Sequence, residues 1–145
     1  MSLIECLRFA NENPICNVAT IDGDMPRTRV FSMWRADKTG FYFHSDADKS
    51  VSKQLRSNPK IEVCFYSPAE PPAVGETMRV SGEIEVVDDI AVRTKLLEDR
   101  PFLRMLGVSG VDDPALFVFK IAHGDAFIWT IDNNRKETEI ERIKF

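Results

Sequence analysis

The apolar residues of this chain recur mostly at every second position. Met78, Val80, Ile84 and Val86 alternate with Arg79, Ser81, Glu83 and Glu85, and Ile61, Val63 and Phe65 alternate with Glu62, Cys64 and Tyr66. That period puts the apolar set on one face of a strand and the polar set on the other. Gly82, inside the first of these runs, predicts a bulge or bend. β-branched and aromatic residues also fill 15–21, 27–34 and 41–45, with Asp22-Gly23-Asp24 and Lys38-Thr39-Gly40 as the turns between them. These three strands are expected to form a meander. Residues 116–121 and 125–131 read as a final hairpin around His123-Gly124, and 139–145 as a weak edge strand.

Helical spacing is rarer and always short. Ile4, Leu7 and Phe9, with Arg8 and Glu12 between and after them, predict a helix that ends before Pro14. Asp48 is placed to cap a helix carrying Val51 and Leu55 on one face, stopped at Asn58-Pro59. Asp88-Asp89 starts another that reaches Asp99, with Pro101 bounding it and a short helical piece extending to Leu106. Residues 67–75, with three prolines, read as a loop. Strands do not alternate with helices in the way a parallel doubly wound sheet requires. The expected class is therefore mainly β with short helices. Six or more antiparallel strands in one domain imply a sandwich or a barrel.

Composition narrows the function. The 145 residues fit one domain, 1–145, without linker, repeat or low-complexity tract. Hydrophobic residues make up 43% and charged residues 29%, and the net charge is −4. A mildly acidic chain lacks the electrostatic pull toward phosphate backbones, which speaks against nucleic acid as a partner. No apolar run approaches the length of a membrane span, and the charged start does not resemble a secretory signal. Three scattered cysteines, Cys6, Cys16 and Cys64, suit a reducing cytoplasm and read as buried apolar filler.

The familiar phosphate cradles GxGxxG and GxxxxGK[ST] are absent, as is the GxSxG elbow. His44 and His123 lack metal-ligand spacing, so no metal site is expected. The strongest constellation lies between Pro26 and Pro59. Arg27 and Arg29 are two apart in a strand and share a face. Lys49 and Lys53 are four apart on one helical face. The helix start adds free N–H groups and a positive dipole end, and Ser45, Ser50 and Ser52 add hydroxyls. These are the donors a phosphate monoester requires. The same residues would equally make a solvated basic face, and the pattern leaves both open.

The run from Ala19 through Asp22-Gly23-Asp24-Met25-Pro26-Arg27-Thr28-Arg29-Val30-Phe31 resembles the opening of the pyridoxamine 5′-phosphate oxidase-like, FMN-binding split-barrel superfamily. Phe41-Tyr42-Phe43-His44-Ser45, Gln54-Leu55-Arg56-Ser57-Asn58-Pro59 and Met78-Arg79-Val80-Ser81-Gly82 follow in the family's order and at its distances. The resemblance extends over 13–131. It implies a six-stranded antiparallel Greek-key split β-barrel and a homodimer with two FMN sites at its interface. It implies that Arg29 contacts the FMN phosphate, that the backbone of Val30, Phe31 and Ser32 runs along the flavin ring, and that His44 and Ser45 end the third strand beside it. Lys49, Ser50 and a helping Lys53 fall where the oxidases carry a Ser-Arg-Lys run. Thr77 stands where they have a glutamine from the second subunit. Trp129 matches an aromatic packed near the flavin across the interface, or is a core residue.

One departure limits the inference. After Trp129 the chain reads Asp132-Asn133-Asn134-Arg135-Lys136 where the true oxidases carry an RLHDR-like substrate-holding run. The resemblance is therefore to the small general-stress, nitroimidazole-resistance-like or flavin-reductase-like members. The implied function is an FMN-dependent oxidoreductase acting on an unidentified small molecule, with a nicotinamide compound as a candidate donor. His44 is the one candidate acid or base near the site. The alternatives are a non-catalytic flavin-binding or storage protein, and a barrel that holds haem or a deazaflavin.

Overall fold

The computed structural model describes residues 1–145. Ser2 opens α1 (Leu3–Glu12) with a capping box, its hydroxyl accepting from the Glu5 N–H and the Glu5 carboxylate from the Ser2 N–H. Cys6 and Ala10 fill its inner face. β1 (Ile15–Asp22) and β2 (Met25–Ser32) form a hairpin whose two-residue turn needs Gly23 at φ 63°. β3 (Arg35–Asp37) and β4 (Gly40–Asp46) form a second hairpin. Then follow α2 (Ser50–Ser57), β5 (Lys60–Ser67), β6 (Glu76–Val86), α3 (Ile90–Asp99), α4 (Phe102–Met105), β7 (Leu116–Trp129) and β8 (Ile143–Lys144).

The strands pair antiparallel in the order β2-β1-β5-β6-β7-β4-β3, with β8 added to β7. The molecule is thus a mainly β antiparallel sheet with short helices, as the alternation predicted. It has eight strands rather than six, and its path does not close, an arrangement consistent with a split barrel. Side chains span the gap. Phe31 of β2 meets Phe43 and Phe119 edge-on, each at 6.2 Å, and those two rings stack at 5.4 Å. The enclosed core holds Val18, Phe41, Phe43, Val63, Phe65, Met78, Val80 and Phe119, all fully buried. A second, smaller core lies where α3 and α4 cover the other face of β4 and β7, and contains Tyr42, Leu96, Leu97, Leu103, Leu116 and Val118.

Four expectations change. The meander fails because β4 pairs with β7 and β3, not with β2: the chain crosses to the far end of the sheet after Ser32. The final hairpin is one continuous strand, β7. Gly124 lies so close to β6 that a Cβ there would sit 2.0 Å from the Ser81 carbonyl oxygen, and the register of β6 slips between Gly82 and Ile84. His123-Gly124 therefore marks a close strand approach at a bulge, not a turn. Asp48 does not cap α2. Its N–H is held by the Asp46 carboxylate in an Asx turn, and the helix starts from Lys49 without a side-chain cap. Finally, Cys6 and Cys16 are buried filler but Cys64 is only half-buried.

Candidate functional site

Arg29 sits at the joint of β1, β2 and α2. Opposite residues in an antiparallel pair share a face, so Arg29 lies on the side of its partner Val18, which is buried. Its Nη1 donates to the Val18 carbonyl oxygen at 3.2 Å and to Thr20 Oγ1 at 2.7 Å, and its Nη2 donates to Gln54 Oε1 at 2.6 Å. The buried Thr20 hydroxyl also donates to Gln54 Oε1, at 2.6 Å. Gln54 thus ties α2 to the hairpin through one oxygen. A guanidinium has five N–H donors. Three are used here, and Nε and one Nη2 hydrogen remain. Partial burial lowers the Arg29 pKa from its usual value, without threatening a charge that arginine keeps in any protein.

Arg27 does not join this arrangement, since its Nε pairs with Asp22 at 3.2 Å back across the hairpin. Lys49 and Lys53 are exposed at the start of α2, and neither has a carboxylate within ion-pair distance. Lys53 and Gln54 line a groove of about 430 Å³ with Ile21, Asp22, Ser57 and Asn58. No side chain caps the start of α2, so its first-turn N–H groups lack a capping partner, and the Ser50 hydroxyl is exposed beside them. Ser52 is not a free donor: its hydroxyl is fully buried and donates to the Asp46 carbonyl oxygen at 2.6 Å.

The open edge of β2 supplies a different kind of recognition. Counting from the two-residue turn, Thr28, Val30 and Ser32 fall in the widely spaced pairs, so their N–H and C=O groups point away from β1. Side chains split by face. Phe31 belongs to the core, while Val30 is 65% exposed on the outer side of the sheet. Any flavin contact made by 30–32 is therefore a backbone contact.

Beyond that edge lies His44, on the face of β4 that α3 covers. Its Nε2 is 2.8 Å from Arg100 Nη1. Burial, and then the charges of Arg100 and Lys49, push its pKa down to about 4 from the usual 6.5. At neutral pH it is uncharged, and its acidity is far from what a general acid needs. Ser45, half-buried, points with Phe43 toward the core side of β4. Thr77 and Trp129 pair with each other on β6 and β7, with β1 and β5 between them and β2. One chain does not bring them to Arg29.

The sequence pattern missed Thr20, Arg100 and the part played by Gln54. Nothing local marks Thr20 or Gln54, because each acts across the joint. Arg100 had a faint signal. Met33 pairs opposite Pro14, its N–H donating to the Pro14 carbonyl oxygen at 2.9 Å. Proline returns no N–H, so the Met33 carbonyl needs another donor.

The family model described as pyridoxamine 5′-phosphate oxidase matches residues 3–136, and the chain belongs to that family. It is 32% identical over 81 residues to the pyridoxine/pyridoxamine 5′-phosphate oxidase of Pseudomonas paraeruginosa; the match spans 55% of this chain and 36% of that enzyme. The chain thus aligns with about a third of the length of that curated relative. Among solved structures, a NimC/NimA family protein from Clostridium acetobutylicum superposes with a TM-score of 0.75 at 25% identity, covering 98% of this chain and 92% of that one. The general stress protein 26 of Bacillus anthracis superposes with a TM-score of 0.73 at 14% identity, over 100% of both. No helix in the molecule is long and apolar enough to cross a membrane.

Proposed function

We propose that the chain binds FMN and acts as a flavin-dependent oxidoreductase on a small molecule. The observation that carries this is Arg29, fixed in orientation by Val18, Thr20 and Gln54 while two of its N–H donors stay free. A terminal phosphate is the ligand such a group suits, because a pre-oriented guanidinium loses little freedom on binding. Lys49, Lys53, Ser50 and the uncapped start of α2 would complete the phosphate end. The backbone of Val30 and the Ser32 N–H on the open edge of β2 would meet the ring, with His44 and Ser45 beside it, since the Ser32 carbonyl already accepts from Arg100. When bound, FMN would supply the hydride or electron chemistry. The chain would bind and orient it, and His44, neutral above about pH 5, would give a hydrogen bond rather than a proton. Titration with FMN tests the reading: stoichiometric binding with quenched flavin fluorescence supports it, and no binding at about 1 mM, the weak end of specific recognition, refutes it.

The site is proposed to be completed by a second copy. Ile15, Val30 and Tyr66, exposed by 61%, 65% and 52%, lie together on the outer face of β1, β2 and β5 around a groove of about 440 Å³. The apolar face of β6 is not available for pairing, because Met78 and Val80 lie in the core of the single chain. Pairing through the outer face of β1, β2 and β5 would let the partner's copy of the Thr77–Trp129 cross-strand pair approach the flavin. Light scattering should give about twice 16.5 kDa, and Val30→Asp should halve it. A wild-type mass of 16.5 kDa with flavin bound would rule the dimer out.

A further inference from the structure

Arg100 makes more contacts between separate parts of the fold than any local role would require. It follows the last residue of α3, and its guanidinium reaches three groups at once. Nη1 donates to the Ser32 carbonyl oxygen at 3.0 Å and lies 2.8 Å from His44 Nε2, and Nη2 donates to the Met33 carbonyl oxygen at 2.8 Å. Each acceptor is one the sheet leaves unserved. Ser32 is on the open edge of β2, and Met33 faces Pro14, which has no N–H to give. Next to it, the Asp99 carboxylate accepts from Trp34 Nε1 at 3.0 Å, stitching the same end of α3 to the start of β3.

The contact with His44 fixes its tautomer. Arginine has no lone pair to offer, so Nε2 must be the unprotonated acceptor and the hydrogen sits on Nδ1. His44 Nδ1 makes no hydrogen bond within the chain. We propose that Arg100 is a positioning residue of the flavin site: it latches α3 onto the end of β2 and presents His44 as a neutral Nδ1–H donor. This rests on the flavin reading above for its purpose, but the latch itself is a property of the chain alone.

The charged groups around His44 leave Arg100 as the one that can be removed without touching the proposed phosphate end. Lys49, at the start of α2, is part of that end. Asp46, two residues along β4, turns a carboxylate oxygen to the Asp48 N–H, and Asp99 turns its carboxylate to Trp34 and Lys95. The neighbouring strands contribute Val118 on β7 and Ser32 and Met33 at the end of β2, none of which titrates.

The experiment has two arms on the full-length chain. Proton NMR follows the two histidines, His44 and His123, between pH 3 and 8 in wild type, Arg100→Met and Arg100→Lys. Wild-type His44 should titrate below about pH 5. Arg100→Met should raise its midpoint by about one unit toward 6.5, and Arg100→Lys, which keeps the charge, should raise it by less than half as much. The second arm titrates FMN and riboflavin. Arg100→Met should weaken both by a similar factor, about tenfold, because the latch acts on the ring edge and not on the phosphate. If Arg100→Met unfolds, Arg100→Lys still decides, since it should weaken both flavins while leaving the His44 midpoint low. An unmoved His44 midpoint in folded Arg100→Met, or unchanged affinity for both flavins in the variants, overturns the proposal. If wild type binds neither flavin, the function proposed above fails, and the NMR arm still shows whether the latch exists.

Discussion

Replacing Arg29 with alanine removes two kinds of interaction, and the structure separates them. Inside the chain, Arg29 spends three N–H groups on Val18, Thr20 and Gln54. Gln54 Oε1 and the Thr20 hydroxyl keep their bond to each other when Arg29 is gone, and the buried Val18 carbonyl keeps its ladder bond from the backbone of the residue opposite. The cost to folding is therefore about 1 kcal/mol, the net worth of ordinary hydrogen bonds. Toward a ligand, two donors remain. A charge-assisted bond contributes roughly 1.5–3 kcal/mol, and solvent at the rim reduces the second. Arg29→Ala should weaken FMN by about ten- to a hundredfold, which is about 1.4–2.8 kcal/mol. Riboflavin, which lacks the phosphate, should lose less than about twofold. Arg29→Lys should fall between, since it keeps the charge but not the fork. The assay is fluorescence titration of both flavins against wild type and the two variants, at one ionic strength. Equal losses for FMN and riboflavin would refute the phosphate role and, with it, the reason for placing the pocket at this joint.

Other outcomes follow from the same structure. Gly124→Ala should lower stability by at least about 2 kcal/mol, because the new Cβ would meet the Ser81 carbonyl oxygen at 2.0 Å; an unchanged urea midpoint would show that β6 and β7 can part there freely. The depressed pKa of His44 means the unfolded chain binds the proton more readily than the folded one, so its contribution to stability is complete above about pH 6.5 and is lost as pH falls toward 4. Urea midpoints at pH 7.5 and 4.5 should differ by less in His44→Gln than in wild type, and an equal drop in both would contradict this. FMN-loaded protein should not sustain oxidation of pyridoxamine 5′-phosphate, because Asn133 and Asn134 offer neutral amides and Arg135 and Lys136 are exposed in the turn after Trp129. Aerobic turnover of about one per second would show that other residues rebuild the substrate site.

Elements with strictly local signals were legible. β5 and β6 follow from their alternation, α1 from its apolar spacing and the stop before Pro14, α3 from its cap, and the β6 bulge from Gly82. What failed depended on pairing at a distance. Gly124 resembles a turn residue until Ser81 and Gly82 are placed against it, and only then does a long continuous β7 make sense. Three successive strands look like a meander until β7, which starts 70 positions after β4 ends, takes the place beside β4 that β2 was expected to fill. The site divides in the same way. Arg29, Lys49 and Ser50 could be found from spacing and resemblance. Thr20 and Gln54 could not, because a hydroxyl on β1 and an amide oxygen on α2 meet only across the joint, and Arg100 left only the faint signal of the N–H that Pro14 lacks opposite Met33. Asp48, the obvious cap, was displaced by an Asx turn that begins two residues earlier, and this is what leaves the start of α2 open.

FMN is proposed to sit at the joint of β2 and α2. The most direct measurement is the mass and absorption spectrum of the small molecule that co-purifies with the full-length chain, obtained by native and denaturing mass spectrometry on the same sample. The expected result is the mass of FMN, one per chain, released on denaturation and accompanied by an oxidised-flavin spectrum. A haem or deazaflavin spectrum, or a chain that emerges without ligand and fails to take up added FMN, would contradict it.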